Sequence, residues 1–170
     1  MKIGNNRIAW VFLAVALLVS AVQMASYFPR LPEKLATHFD AAGNANGWMN
    51  KTGFFQFQFA LLGFLGLVFS LLPQWLSRIP DACINLPHKA HWLAPERRAA
   101  SLADLARQMS FLSLLIFALL VIIGELTLRA NLLAPPRLGG EVWWLLGGYG
   151  VLLVIWIVRL YRRFPRPPGG

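Results

Sequence analysis

The chain has 170 residues, 57% of them hydrophobic and 14% charged, with a mean hydropathy of +0.55. A soluble domain needs more surface charge than that, and the apolar residues stand in long blocks, so a water-soluble globular domain is excluded. The formal charge of +9 does not point to nucleic acid, because the basic residues stand at the ends of apolar blocks, the placement expected beside anionic lipid. The single Cys83 offers neither a disulfide framework nor a CxxC pair.

The first apolar block covers about residues 8–28, close to the ~20 residues that carry a helix across a bilayer core. Lys2 and Arg7 before it resemble the start of a signal peptide, but the block exceeds the ~7–15 residues of a signal core, so an uncleaved anchor is expected. The second block covers about 54–75, with Gln56 and Gln58 near its start and Pro73 expected to mark its exit. The third covers about 109–128. Ala94-Pro95-Glu96 reads as a helix start, and Leu102, Leu105 and Met109 recur at helical spacing, so this helix is expected to begin near Pro95, before the membrane. The fourth covers about 142–158 and is followed at once by Arg159, Arg162 and Arg163. The fold class is an all-α membrane protein, a four-transmembrane-helix bundle forming one membrane domain over 1–164, with 165–170 as a disordered tail.

Four spans put both termini and the middle loop on one side. That side carries Lys2, Arg7, Arg78, Lys89, Arg97, Arg98, Arg107, Arg159, Arg162, Arg163 and Arg166, and the other side carries Arg30, Lys34, Lys51, Arg129 and Arg137. The positive-inside rule places both termini in the cytoplasm. Trp143 and Trp144 at one end of the fourth span, Tyr161 after it and Trp75 ending the second fit interfacial aromatic belts. Gly63, Gly66, Gly147, Gly148 and Gly150 allow close backbone approach, either within the bundle or at a homo-oligomer face. In the middle loop, His88 and His91 lack further ligands for a metal set, and the segment reads as interfacial and polar. Pro135-Pro136 and Gly139-Gly140 make the third loop a turn between antiparallel helices.

The first loop is the informative one. Pro32-Glu33 can open a helical turn, 37–40 is an extended piece, and Gly43-Asn44 and Asn46-Gly47 are turn dipeptides. Trp48-Met49 can pair back antiparallel on 37–39, making a small extracytoplasmic hairpin between the first two helices. The run Leu31-Pro32, His38-Phe39-Asp40, Gly43, Asn46-Gly47-Trp48 and Lys51, set behind a first membrane span, resembles the DUF1648 motif over about residues 8–75. The later segments Asn85-Leu86-Pro87 and Trp92 to Arg98 resemble a continuation seen in bacterial members. The resemblance implies a bacterial inner-membrane protein and no particular activity. The same domain occurs in longer immunity proteins that protect cells from the sporulation-delay toxin, a membrane-active peptide, and some of those also hold a repressor at the membrane. It therefore implies an immunity-like role by analogy.

Several polar groups gather at the outer face: His38, Asp40, Gln56, Gln58 and Glu125. Glu125 is the carboxylate inside an apolar block, where an ionisable group costs up to about 2.5–3.5 kcal/mol and needs a partner or a polar cavity. Arg129 at i+4 supplies one as a helix-end ion pair; otherwise Glu125 faces the outer loop and binds a cation or peptide. His38 and Asp40 share a face of an extended segment and are weak metal candidates with Glu125; alternatively Asp40 caps the turn and His38 bonds across the hairpin.

No GxSxG, HExxH or Walker A sequence is present, no cofactor is implied, and the balance leans away from an enzyme. The expected function is binding or sensing of a peptide, lipid or envelope component through His38, Phe39, Asp40, Gly43, Asn46, Gly47, Trp48 and Glu125. The alternatives are a small membrane enzyme or proton-coupled transporter using His38, Asp40 and Glu125, and a structural subunit of a membrane complex. Expected partners are the lipid bilayer, a peptide or membrane protein, or a second copy of the chain.

Overall fold

The computed structural model describes residues 7–167; the sequence expectations on Lys2 and on 168–170 fall outside the described residues. The chain runs α1 (Arg7–Tyr27), β1 (Lys34–Phe39), β2 (Ala45–Asn50), α2 (Lys51–Leu76), a 3-10 turn (Asp81–Cys83), a one-turn helix α3 (Lys89–Trp92), α4 (Pro95–Ala130) and α5 (Glu141–Arg163). Among the described residues α1, α2, α4 and α5 are long and apolar enough to cross a membrane.

The helices α1, α2 and α4 pack on one another. Their shared core holds Leu13, Ala16, Leu62, Phe69 and Phe117, with the Phe69 and Phe117 rings edge to face. Gly66 sets the closest approach: a Cβ there would run into the Leu13 side chain. α5 packs along α4 and buries none of its residues. The bundle is thus three helices with a fourth laid against one of them. A Cβ at Gly63, Gly147, Gly148 or Gly150 would meet open space, so of the five glycines expected to tighten helix packing, Gly66 alone does so within the chain.

Local chemistry explains the element boundaries. β2 passes into α2 without a linker because Asn50 ends the strand and caps the helix, its Oδ1 accepting from the Gly53 N–H at 2.6 Å. Pro73 does not end α2; the helix continues to Leu76 with the proline buried inside it. Pro32-Glu33 forms no helical turn and leads straight into β1, where the Glu33 carbonyl accepts from the Lys51 N–H and its carboxylate pairs with Lys51 at 2.8 Å. Asn46-Gly47 lies within β2 and is not a turn; the reversal is made by 40–44. The register Ala36↔Trp48, His38↔Gly47, Phe39↔Ala45 leaves Thr37 and then Asn46 unopposed, two irregularities that cancel.

On the side of the chain termini the middle loop is a folded cap and not merely a polar interface. Leu76, Ile84, Leu86, Leu93, Leu102, Leu105 and Phe164 form an apolar core. Arg98 ties the loop down through Asp81 at 2.9 Å and the Ile79 carbonyl. Asp104, buried, pairs with Arg163 and with Arg107. Residues 165–167 have no regular structure, and the Pro165 carbonyl accepts from the Trp92 indole at 3.1 Å.

On the opposite side Leu31 and Leu35 at the hairpin's base are buried against Leu128 of α4 and Phe55 of α2, and one polar side chain fixes the strand in place. The Asn131 amide donates to the Ala36 carbonyl at 2.8 Å, and its oxygen accepts from the Ala36 N–H at 2.7 Å. Both residues are buried, so neither backbone group has water to fall back on. Asn131→Leu is expected to destabilise the protein by about 2–4 kcal/mol and lower its unfolding midpoint by roughly 5–10 °C, measured by thermal unfolding in mild detergent.

Candidate functional site

The hairpin turn is built by Asp40. Its Oδ1 accepts from the Ala42 and Asn44 backbone N–H groups at 2.9 and 2.8 Å, and its Oδ2 from the Asn44 amide at 3.0 Å. These bonds, the Asn44 side chain first, hold the carboxyl below the ordinary aspartate range. Gly43 completes the turn at φ +84, and a Cβ there would collide with the Leu138 carbonyl. The Leu138 N–H in turn donates to the Gly43 carbonyl at 2.9 Å, and Asn44 bridges to Arg137. The first and third loops, far apart in sequence, are therefore joined backbone to backbone.

That junction frames a cleft of about 320 Å³. One wall is Phe39 and the 40–43 turn; the other is Leu138, Val142, Trp143 and Leu146 at the entry to α5. The lining is mostly apolar, with backbone polar groups at the turn.

The eight residues singled out in the sequence do not converge. Phe39, Asp40 and Gly43 line the cleft. His38, Asn46 and Trp48 are exposed on the hairpin outside it. His38 bonds to the neighbouring Thr37 hydroxyl at 3.2 Å, not across the hairpin, and its ring lies over Gly47, where a Cβ would come within 2.9 Å of it. Glu125 sits apart, between α4 and α1. Among the described residues no three His, Cys, Asp or Glu side chains stand close enough to hold a metal ion, so His38, Asp40 and Glu125 do not form a shared centre.

Glu125 has its Arg129 partner at 2.7 Å, but the pair belongs to a larger network that the sequence reading missed. Tyr27 donates its hydroxyl to Glu125 Oε1 at 2.6 Å, and the Gln23 amide donates to Oε2 at 3.2 Å and to the Val121 carbonyl at 3.1 Å. Gln58 extends the network inward, donating to Ser20 at 2.9 Å and to Gln23 at 3.3 Å. Gln56 takes no part and is exposed. Gly124 makes room, since a Cβ there would press on the Gln58 amide at 3.2 Å. The available signal was Ser20, Gln23 and Tyr27, spaced to share one face of α1.

The fold and these sites define a multi-pass membrane protein of four spanning-length helices carrying a two-stranded head between the first two. Residues 10–62 match the family model described as a domain of unknown function, DUF1648, a stretch that takes in most of α1, the hairpin and nearly half of α2. No curated protein matches the chain, and no solved structure matches it.

The network predicts unequal costs for two substitutions. Glu125→Gln keeps an acceptor for Tyr27 and is expected to cost about 1 kcal/mol, whereas Glu125→Leu takes the acceptor from both the Tyr27 hydroxyl and the Arg129 guanidinium and costs about 2–3 kcal/mol. Thermal unfolding of both variants in detergent measures the difference.

Proposed function

We propose that this chain is a binding or sensing protein of the bacterial inner membrane, with both termini in the cytoplasm, and that its hairpin-side cleft takes an apolar anchor of a peptide arriving from outside the cell. The observation that carries this reading is the cleft itself. Its size is that of small-ligand sites, ~300–1,000 Å³, and its lining combines apolar walls with a few fixed polar groups. Its two walls are fixed to each other by the Leu138–Gly43 hydrogen bond, so a ligand does not have to order them. Phe39 and Trp143 supply the aromatic surface that dominates such contacts. The immunity-like role implied by the sequence resemblance is consistent with a membrane-active peptide as the ligand.

The enzyme or transporter reading required His38, Asp40 and Glu125 to act together. Asp40 is occupied in the turn and Glu125 in the helix network, so no observation favours it.

Bacteria challenged with synthetic amphipathic cationic peptides are expected to survive better with the wild-type protein than without it. Trp143→Ala should abolish that gain while leaving membrane insertion intact. Equal survival with and without the protein, or full protection by the variant, rules the reading out. Orientation is checked separately. Cys83 is exposed on the terminus side, so a membrane-impermeant maleimide should label it in inverted vesicles and spare it in intact cells.

A further inference from the structure

Helix α5 is pinned to α4 near the terminus side, where the Trp156 indole donates to the Gln108 carbonyl at 2.9 Å and Arg163 pairs with Asp104. At the other end, the loop into α5 is held by the Leu138–Gly43 bond. Between these points the packed helices leave open grooves along their seam. Two grooves, of about 490 and 140 Å³, adjoin at Leu115 and Leu152, which line both, and follow one another along the helix pair as a crevice. It is wide where Ala118 and Gly148 line it, and a Cβ at Gly148 would meet nothing within 4 Å.

The crevice walls are almost wholly apolar. Water entering it would find few partners, and leaving it empty would forfeit dispersion contacts along both helices. Hydrocarbon satisfies both conditions. From Trp144 to Arg159 the crevice follows α5 for about 22 Å, more than half of a ~30 Å bilayer core.

The mouth on the terminus side is charged. Arg159 lines it, its guanidinium 5.7 Å from the centre of the Phe111 ring, and among the described residues it makes no ion pair. Arg162, three residues on, is exposed and likewise unpaired among the described residues. A guanidinium at the end of an apolar slot suits a phosphate carried on an acyl chain, because its planar fork can donate two parallel bonds to phosphate oxygens.

We propose that the α4–α5 crevice binds an acyl chain of an anionic phospholipid from the leaflet on the terminus side, with the lipid phosphate held by Arg159. This site is separate from the hairpin-side cleft and does not depend on the function proposed for it.

The test is native mass spectrometry of the full-length protein released from bilayers of equimolar phosphatidylglycerol and phosphatidylcholine. The wild type should retain phosphatidylglycerol in preference to phosphatidylcholine. Arg159→Gln should reduce that preference about tenfold, the scale of one lost charge-assisted contact. Gly148→Leu, which fills the crevice, should shed both lipids, and Ala118→Leu does the same from the other wall if the first variant folds poorly. Equal retention of the two lipids by the wild type, an unchanged preference in Arg159→Gln, or a lipid-free wild-type dimer whose second copy fills the crevice would each overturn the proposal.

Discussion

One carboxamide sets the geometry of the hairpin side. Asn131 presents to Ala36 the same donor and acceptor pair that a neighbouring strand would present, so β1 is bordered by β2 on one edge and by a helix terminus on the other. An isolated two-stranded hairpin is marginal in water. Here it is held at Ala36 by Asn131, at its base by the Lys51–Glu33 pair and by the burial of Leu35 against Leu128 and Phe55, and at its tip by Leu138. Asn131 also donates to the Thr127 carbonyl at 2.8 Å, so the same side chain closes the last turn of α4. The cleft exists because the hairpin is not free to rotate away from the α4–α5 loop.

Within the bilayer a second constraint operates. Lipid is as apolar as leucine, so helices gain little from hiding apolar faces from it. What selects partners is close packing and hydrogen bonding. α1, α2 and α4 have both: Gly66 beneath Leu13, Gly124 beneath Gln58, and the chain of donors from Gln58 through Gln23 to Glu125. α5 offers glycines but buries no residue of its own, and it remains an outlying helix with Trp143, Trp144 and Tyr161 exposed.

The spans are legible in the sequence because an unbroken apolar run of ~20 residues matches the thickness of a bilayer core and exceeds what a soluble core helix needs. The early start of α4 is legible because Pro95-Glu96 is a helix-opening signal. The hairpin is legible from its turn residues, but only in outline. Asn46-Gly47 has turn chemistry but sits in a strand, because Asp40 and Gly43 have already made the reversal; its glycine leaves room for the His38 ring. The candidate site is less legible. Phe39, Asp40 and Gly43 belong to one local motif, whereas Leu138 and Trp143 opposite them come from a distant loop that no local pattern connects to it. Asn131 carries no signal at all, since an asparagine after a helix is ordinary. The terminus-side cap reads as polar because its apolar residues are spaced singly between turns, and Phe164 joins them only through the packing of α5.

The 36 residues of α4 amount to about 54 Å, against a hydrocarbon core of ~30 Å. Its one proline is at the first turn, and no break interrupts it before Asn131. The clasp on the hairpin and the apolar contacts of the terminus-side cap are thus mounted on a single uninterrupted strut. Any axial slide imposed where Asn131 grips the head is directed along the same helix axis that carries Leu102 and Leu105. The hairpin and the terminus-side cap therefore share one helix as their common mount.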